Sequence, residues 1–416
     1  MKKIKVSFVG ISHLSLVYGF CSAAKGCQVT FFDYSVDEIN KYKKGIFNVE
    51  EPNLLNIYKK FYNNIKFTNN ISEINNTDII FIAKDIKTNL KGNSDLTDLR
   101  YLINLVTKQA KKNKILVLLS QVHPGFTRKY FSKHKRIYYQ VETLIFGDAV
   151  NRALNQERII IGCEDINKKI DKKYLKYLNL FRCKILKMKF ETAELTKISI
   201  NAFLASSITT ANVLAEISNK IGANWNQIVD ALRLDKRIGL FAYLNPGLGI
   251  SGGNLERDLN TIIKHGSKFN TNVSYIKSLI SDSNYRKNWI YRTLKKLKLI
   301  NKNICILGLS YKENTNSIKN SPSIATLQKL KNKKFKIFDP IVKKVPLKNV
   351  IYCNTIKETI LGTDVLIIAT AWDLFKKDVT VKILNKHFYG KVIIDPFSVL
   401  NKNILNKKKF QIYSLK

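Results

Sequence analysis

Short apolar runs alternate with polar, helix-forming stretches over the first 160 residues of the chain. Several runs are continuous, of strand length, and rich in β-branched and aromatic residues. Strands that are apolar on both faces belong to parallel sheets covered by helices, so the alternation predicts an α/β domain. The clearest runs are KIKVSFVG, QVTFFD, DIIFIA, ILVLLS and RIIIG.

The middle of the chain has a different pattern. Residues 191–234 contain a long proline-free helical stretch closing at Gly222 and then a second helix, NWNQIVDALRL. A glycine-rich segment, PGLGISGGNLERDLNT, follows at Pro246 to Thr261. From Asn303 the strand-length runs return as ICILGLS, KFKIFDP, DVLIIATAW and KVIIDP, and one more strand is expected in the lysine-rich tail.

Chain length agrees with this reading, because 416 residues exceed what one hydrophobic core normally organises. We expect a nucleotide-binding domain at 1–190, a central helical domain at 191–290 and a second sheet domain at 291–416. No uninterrupted apolar run approaches the ~18 residues of a membrane span. The opening residues, MKKIKVSFVG, enter a strand with no signal-peptide pattern. The interpretation is a cytoplasmic protein without a membrane span.

Cysteine spacing and charge narrow the function classes. The six cysteines are scattered without a CxxC pair, so reduced, buried thiols are expected, with no disulfide framework and no metal site. The formal net charge is +40, with lysine and arginine spread along the whole chain. A general compositional bias is favoured over attraction to polyanions. No nucleic-acid-binding motif is present, so no nucleic-acid partner is expected.

The end of the first strand is where a dinucleotide-binding turn would lie. Such turns use G-x-G-x-x-G, because glycines let the backbone approach a pyrophosphate at a helix N-terminus. Here the sequence is GISHLS, with Gly10 kept and Ser12 and Ser15 at the other glycine positions. Asp33 closes the second strand at the spacing of the acid that holds the ribose hydroxyls of NAD. On this motif alone, a plain βαβ unit that binds no nucleotide remains an alternative.

Further blocks of the chain resemble the UDP-glucose/GDP-mannose dehydrogenase family, and the likeness runs nearly from end to end. Five blocks occur in order and at compatible spacing. They are NVEEPNL with Glu51, FIAKDIKTNLKGNSDLTDL with Gly92, VETLIFGDAVNRALNQERIIIG with Glu142, AELTKISINAFLASSITTAN with Lys197 and Asn201, and GLSYKENTNSIKNSPS with Lys312.

The resemblance implies two Rossmann-like, doubly wound domains joined by a long central helix. It also implies NAD as cofactor, a nucleotide sugar as substrate and a homodimer formed through the central helix. Family members oxidise the C6 hydroxyl of a UDP- or GDP-sugar to a carboxylate in two hydride transfers, through a thiohemiacetal on a cysteine.

The glycine-rich segment resembles the PGxGFGGSCFPKD motif that carries this cysteine. Asp258 fixes an ungapped register, in which Asn254 stands at the nucleophile and Arg257 at the lysine. A thiolate is a strong nucleophile, whereas a carboxamide cannot form a thioester. Gln121 replaces a threonine of the STVPPG segment, and Phe146 replaces the second glutamate of PEFLxEG. The VPTP turn also differs, reading Lys-Asp-Ile-Lys at 84–87.

The retained groups form a chemically sensible catalytic set. Lys197 and Asn201 are four residues apart and so share one helix face. With Asp258 they would bind a sugar hydroxyl, stabilise the developing alkoxide and pass its proton to water. The alternatives are a solvated lysine at 197 and a helix N-cap at Asp258 opening LNTIIKH. The predicted catalytic residues are Lys197, Asn201, Asp258, Glu142 and Asn254.

Two binding sets follow from the same resemblance. The predicted cofactor-binding residues are Gly10, Ser12, Ser15, Asp33 and Gln121. The predicted substrate-binding residues are Tyr243, Leu244, Gly249, Arg237 and Lys312, with Arg237 reaching the substrate of a partner subunit. His13 and His123 lie in loops near the expected cofactor. Polar loop residues facing water are favoured there over general bases.

Three functions remain open on the sequence. The first is a two-electron oxidoreductase in which NAD takes one hydride from a nucleotide sugar. The second is a four-electron dehydrogenase, which the missing thiol disfavours. The third is a binding or regulatory homologue without turnover, supported by the altered glycine turn. The retained Lys197, Asn201 and Asp258 favour the first.

Overall fold

A computed structural model describes residues 3–89, 92–330 and 333–415 of the chain. The chain divides into two compact units, Met1–Ile200 and Asn201–Lys416. The boundary between the two units falls inside one long helix, Phe190–Lys220.

The first unit is built on an eight-stranded sheet with the order β10-β9-β8-β7-β4-β1-β2-β3. Neighbouring strands are parallel, except for the antiparallel pair β8 and β9. Two short strands, β5 and β6, pair separately as an antiparallel hairpin. The strands are β1 (Lys5–Val9), β2 (Gln28–Phe32), β3 (Ile65–Thr68), β4 (Ile79–Ile82), β5 (Lys87–Thr88), β6 (Ser94–Asp95), β7 (Ile115–Leu118), β8 (Ile137–Gln140), β9 (Arg158–Cys163) and β10 (Lys184–Lys189).

Both faces of this sheet are buried. Successive residues of a strand point to opposite faces. Along β4, Phe81 packs in one hydrophobic cluster with Phe8 and Phe31, whereas Ile80 and Ile82 pack in another. The sheet is therefore doubly wound, as predicted. The helices of this unit are α1 (His13–Ala24), α2 (Val36–Lys43), α3 (Leu54–Phe61), α4 (Thr97–Gln109), α5 (Phe126–Tyr130), α6 (Ala149–Leu154), α7 (Lys172–Leu178) and the first part of α8 (Phe190–Lys220).

The second unit begins within α8 and continues as helices before it forms a parallel six-stranded sheet of order β13-β12-β11-β14-β15-β16. Its helices are α9 (Trp225–Leu234), α10 (Asn254–Lys268), α11 (Ser274–Lys287), α12 (Trp289–Lys296), α13 (Pro322–Lys329), α14 (Ile356–Ile360), α15 (Asp373–Asp378), α16 (Val381–His387) and α17 (Lys402–Lys407). Its strands are β11 (Ile304–Leu307), β12 (Phe335–Phe338), β13 (Val350–Tyr352), β14 (Val365–Ile368), β15 (Val392–Ile394) and β16 (Gln411–Tyr413).

The two sheets share one local hydrogen-bonding arrangement. An aspartate at the end of the second strand accepts backbone N–H groups from the turn after the first strand. In the first unit Asp33 accepts from Ile11 at 3.0 Å. In the second unit Asp339 accepts from Leu309 at 2.7 Å and from Ser310 at 3.1 Å. This repetition agrees with two Rossmann-like domains, the fold class predicted from the sequence.

The helix α8 also meets a length and hydropathy test for a membrane span. An 18-residue window in it has a mean hydropathy of 1.4, although the sequence has no uninterrupted apolar run. Only 33% of that window is buried within the chain. One such helix is weak support for a span, since an apolar helix that packs against other protein has the same composition.

Candidate functional site

The turn between β1 and α1 has the backbone of a dinucleotide-binding turn. Gly10 has a φ of +88°, a conformation that favours glycine. A Cβ atom on Gly10 would lie 2.5 Å from Leu102 Cδ1. Ser12 precedes α1, and its N–H donates to Ser15 Oγ at 2.7 Å. The serines at the second and third glycine positions therefore bond to each other and close the start of the helix.

Asp33 lies at this turn and is only 6% exposed. One carboxylate oxygen accepts the Ile11 N–H at 3.0 Å, and the other accepts the Ser35 N–H at 3.1 Å. A carboxylate offers about four acceptor positions, so positions remain for ribose hydroxyls. The glycine turn and Asp33 together fit NAD, which supplies a hydride acceptor when bound.

The loop after β4 closes against the same turn. Ser12 Oγ donates to the Ala83 carbonyl at 3.3 Å and accepts the Asp85 N–H at 3.1 Å. Lys84 Nζ donates to the Ile11 carbonyl at 3.1 Å and lies 3.9 Å from the Asp33 carboxylate. The departures from the family at Ser12 and at 84–85 are thus in direct contact with each other.

His13 does not face water as expected. It begins α1, is buried, and its Nε2 lies 2.9 Å from a Glu51 oxygen. Its ring lies 4.4 Å from the Phe146 ring. Burial alone raises the pKa of Glu51, but the His13 ring and the N–H groups of Gly147 and Ala149 outweigh burial and hold that pKa below its usual value. His13 is therefore engaged in a buried ion-pair-like contact.

Lys197 and Glu142 form an ion pair within the first unit, with Nζ 2.9 Å from Oε1. Lys197 is 8% exposed, so the alternative of a solvated helix lysine is wrong. The second Glu142 oxygen accepts the Leu144 N–H at 3.0 Å. Gln121, of the same unit, is also buried. Two of the predicted catalytic residues are thus in contact, a pairing that no sequence pattern predicts.

Asn201 and Asp258 are in contact within the second unit. Asn201 Nδ2 donates to Asp258 Oδ2 at 2.5 Å, and Arg257 Nε lies 3.5 Å from the other oxygen. All three side chains are buried. The helix α10 begins at Asn254, so Asp258 lies inside it and the N-cap alternative is wrong. The buried carboxylate is instead held by an amide and a guanidinium.

The glycine-rich loop is fixed by its surroundings in the second unit. Gly249 has a φ of +85°, and a Cβ there would meet the Ser283 carbonyl at 2.6 Å. The Ile250 N–H donates to Ser283 Oγ at 2.8 Å, and the Gly252 N–H donates to the Lys319 carbonyl at 3.0 Å. Asn254 follows as the first residue of α10 and is exposed. The loop thus presents a carboxamide at a helix start, where the family motif presents a thiol.

The cysteines offer no replacement nucleophile. Five are buried, and Cys183 is half-buried. Burial raises the pKa of Cys21, Cys27 and Cys305 to about 12, and desolvation also raises the pKa of Cys163 and Cys353. Thiols in this state are not thiolates at neutral pH. Across residues 3–89, 92–330 and 333–415, no group of three or more His, Cys, Asp or Glu side chains is placed to hold a metal ion.

The predicted substrate-binding residues are dispersed over the second unit. The Leu244 carbonyl accepts the Trp225 indole N–H at 3.0 Å, and Tyr243 is exposed. Arg237 is exposed at the surface, where its side chain pairs with the Asp235 carboxylate. Lys312 Nζ lies 6.0 Å from the centre of the Tyr311 ring.

Comparison with known proteins assigns the family. Residues 4–179, 191–285 and 305–402 match the UDP-glucose/GDP-mannose dehydrogenase family models described as the NAD binding domain, the central domain and the UDP binding domain. The chain belongs to this family. NAD is therefore its cofactor, and the third match indicates a nucleotide-sugar substrate.

Relatives and solved structures span the whole chain. It is 31% identical to a UDP-glucose 6-dehydrogenase of Rickettsia prowazekii and 30% identical to that of Rickettsia typhi, over 99% of each chain. A UDP-glucose dehydrogenase structure from Pyrobaculum islandicum has a TM-score of 0.83 at 22% identity, covering 95% of this chain and 94% of that one. A UDP-D-ManNAc dehydrogenase structure from Pyrococcus horikoshii has a TM-score of 0.83 at 20% identity, covering 99% of each. The structural likenesses bear on the fold.

Some residues of functional interest were not found by sequence reasoning. The sequence predicted neither the His13–Glu51 contact nor the position of Asp85 at the cofactor turn. One signal was available for Asp85. The chain departs from the family pattern at two places: Lys84 and Asp85 replace an apolar Val-Pro pair, and Ser12 replaces a turn glycine. Two departures in one chain indicate that the changed residues are in contact.

Proposed function

We propose that this protein is an NAD-dependent oxidoreductase that oxidises the C6 hydroxyl of a UDP-sugar to the aldehyde and stops there. The observation that carries the proposal is Asn254 at the start of α10, in a chain whose cysteines are all buried or half-buried. Without a thiolate, an aldehyde cannot be held as a thiohemiacetal for a second hydride transfer.

The first oxidation needs no covalent step. The sugar carbinol loses one hydride from carbon and one proton from oxygen, which leaves a carbonyl. Lys197 stabilises the alkoxide as it develops, and its ion pair with Glu142 holds the ammonium in place. Asp258 binds the sugar hydroxyl and passes its proton to water, with its carboxylate oriented by Asn201.

The remaining predicted residues are assigned to binding. Gly10, Ser12, Ser15, Asp33 and Gln121 are proposed to contact the cofactor. The proposed substrate contacts are Gly249 in the fixed glycine loop together with Tyr243, Leu244, Arg237 and Lys312. The domain limits 1–190, 191–290 and 291–416 belong to the same proposal, as do a cytoplasmic location and a homodimer.

A second candidate is a homologue that binds a nucleotide sugar or NAD without turnover. It is favoured by the crowded cofactor turn, where Ser12 and Lys84 contribute side chains not found in the family pattern. Against it are the Lys197–Glu142 contact in the first unit and the Asn201–Asp258 contact in the second, since a protein without chemistry has no need to bury the Lys197 ammonium or the Asp258 carboxylate.

Product stoichiometry separates these functions. The protein is incubated with NAD and UDP-glucose, and NADH is counted by absorbance while the sugar product is trapped with hydroxylamine and identified by mass spectrometry. We expect one NADH per sugar consumed and an oxime of the aldehyde. Two NADH with an acid product would contradict the proposal, and no NADH would favour the binding homologue. A Lys197→Met variant is the control and should give no NADH.

A further inference from the structure

Asp85 lies against the N-terminus of α1, because its backbone N–H donates to Ser12 Oγ at 3.1 Å. Burial raises the pKa of its carboxyl group, and the backbone N–H groups of His13 and Leu14, the first two residues of that helix, oppose this rise. A helix N-terminus carries partial positive charge and unpaired N–H donors. In a dinucleotide-binding fold these donors receive the pyrophosphate. An internal anion is therefore directed at donors that the cofactor would use.

Neighbouring contacts keep this anion in place. Ser12 Oγ accepts the Asp85 N–H at 3.1 Å. The backbone of Lys84 is fixed by Ser120, which accepts its N–H at 2.7 Å and donates to its carbonyl at 2.8 Å. A glycine at position 12 would have no hydroxyl to make the first of these contacts. The serine at position 12 and the acid at position 85 thus act together.

The Lys84 side chain makes a parallel contact at the ribose end of the turn. Its ammonium lies 3.9 Å from the Asp33 carboxylate and donates to the Ile11 carbonyl at 3.1 Å. A cation beside Asp33 offsets the negative charge that ribose hydroxyls would otherwise meet. One cation and one anion of the same loop therefore lie at the two polar ends of the cofactor turn.

We propose that Asp85 is an internal occupant of the pyrophosphate position, and that NAD binds only by displacing its carboxylate from the start of α1. The affinity for NAD is then set by this competition. The cofactor stays the one that the family uses, and the loop after β4 determines how much of it is bound at a given concentration.

The held carboxylate is suited to displacement. Asp85 as a residue is exposed, while its carboxyl group is crowded by surrounding protein. This desolvation raises the pKa of Asp85 above its usual value, helped by the Glu142 carboxylate, although His13 and the helix N–H groups act in the opposite direction. The donors therefore compensate only in part for lost hydration. A pyrophosphate carries more negative charge than the Asp85 carboxylate and can replace it at these donors.

The test measures NAD binding by isothermal titration calorimetry with the full chain and no sugar present. We expect Asp85→Ala to bind NAD about two- to fivefold more tightly than the natural chain, the typical range of charge effects at helix N-termini. Asp85→Asn keeps the side-chain size and should give a gain in the same direction. Asp95→Ala is the matched control, because Asp95 is an aspartate of the hairpin that follows this loop, in β6, and accepts a local N–H from Thr97. It should leave the affinity unchanged.

Two partial ligands locate the effect. ADP-ribose contains the pyrophosphate and should show the same gain as NAD, whereas adenosine contains no phosphate and should bind equally to both chains. Equal NAD affinity, weaker binding by Asp85→Ala, no binding in either chain, or a gain that extends to adenosine would overturn the proposal. Because no sugar is oxidised in this experiment, its result is independent of the proposed two-electron chemistry.

Discussion

In the proposed function, a single side chain, Asn254, decides how far oxidation can proceed. Asn254 lies at the first turn of α10, after a loop with two glycines at positive φ, where the motif that this loop resembles has its nucleophile. The helix start would favour a thiolate if one were present. The carboxamide cannot act as a nucleophile at the helix start, because it carries no charge and no ionisable proton at neutral pH. The surrounding architecture is thus kept while the reactive atom is absent.

Restoring the thiol alone should not restore acid formation. We expect Asn254→Cys to produce no measurable uronate from a UDP-sugar and NAD, because hydrolysis of a thioester also needs groups that handle water. Phe146 occupies the position of the family's second glutamate, and Gln121 that of its threonine. Loss of general base assistance slows such a step by roughly 10²–10⁴-fold. The measurement is uronate quantified by mass spectrometry after extended incubation.

A combined variant provides the positive control for this prediction. Asn254→Cys together with Phe146→Glu and Gln121→Thr should form acid, at a rate at least ~10²-fold above the single variant. Uronate from the single variant at a comparable rate would show that Phe146 and Gln121 do not limit hydrolysis.

At the residue scale, what the sequence could predict depends on the range of the interaction. Asp33 and Asn254 could be singled out as candidates because each has a fixed spacing from a glycine motif. The contacts of His13 with Glu51 and of Lys84 with Ile11 join residues 38 and 73 positions apart, and no local pattern contains them. Charged side chains on loops have many partners of equal chemistry, so only the fold selects among them.

The helix α8 supplies an N-cap to another element of the first unit. Glu194, fully buried on α8, accepts the Gly125 N–H through one oxygen and the Thr127 N–H at 2.8 Å through the other. These N–H groups belong to the start of α5. Burial is the largest influence and raises the pKa of Glu194 to about 6, although the hydrogen bonds from Thr127 and Gly125 oppose it. This contact couples the position of α8 to the loop that carries Gln121.

The raised pKa makes the stability of the first unit depend on pH. Below the unfolded value near 4.5 both states are protonated, and the contribution of Glu194 is fully present. As the pH rises through 6, the unfolded chain has ionised first, so about 2 kcal/mol of unfolding free energy is lost. We expect Glu194→Gln to remove this loss. The measurement is urea unfolding of the natural chain and of Glu194→Gln at pH 4.5 and pH 7. The change in unfolding free energy between the two pH values is compared between the two proteins.

Glu191 gives a control of opposite sign on the same helix. The hydrogen bond from Arg128 holds the pKa of Glu191 below its usual value. This carboxylate therefore adds stability above its unfolded pKa and loses it as the pH falls, and Glu191→Gln should change the pH slope in the opposite direction. Parallel slopes for the two variants would contradict the assignment for Glu194.

Elements were predicted well where they are buried on both faces and poorly at the edges of the sheets. The central strands β1, β4, β11 and β14 are continuous apolar runs. The strands that the sequence did not reveal include β3, β10 and β13, whose sequences IKFT, KILKMK and VIY are short or alternate with lysine. Edge strands need only one covered face, so their pattern resembles that of an exposed loop. The helix α8 was predicted from a long proline-free helical pattern, and Gly222, at positive φ, lies two residues beyond its last residue, Lys220.

The second unit exposes many large apolar side chains, which supports the proposed homodimer. Phe241 is 93% exposed, Phe203 and Leu234 are each 79% exposed, and Ile221 is 73% exposed. Phe203 lies on α8, Ile221 directly follows α8, Leu234 ends α9, and Phe241 lies in the segment after α9 that also contains Arg237. Large exposed apolar patches mark interaction surfaces, so we assign these side chains to the proposed dimer contact. The proposed dimer would cover part of α8, a window of which is as apolar as a membrane helix while only 33% of it is buried.

Net charge acts against association at the scale of the whole molecule. Two copies at +40 repel each other, so the apolar contact has to outweigh this repulsion. Salt screens such repulsion over a Debye length of ~10 Å at 0.1 M ionic strength. A dimer of this protein should therefore become tighter as salt is raised, the opposite of an interface held by complementary charges.

Sedimentation velocity tests the proposed dimer directly. We expect the natural chain to sediment at twice its mass of 47.8 kDa, and Phe241→Asp to shift towards the monomer with a dissociation constant at least ~30-fold higher, because a hot-spot aromatic is worth roughly 2 kcal/mol or more. Tyr389→Asp is the matched control, since Tyr389 is 74% exposed but lies in the sheet part of the second unit. A monomeric natural chain, or equal dissociation by both variants, would show that the exposed apolar side chains do not form the contact.

If the dimer is confirmed, salt titration of the same samples decides whether charge opposes it. We expect the dimer to become tighter as salt is raised, because screening removes repulsion while burial of Phe241 is unaffected.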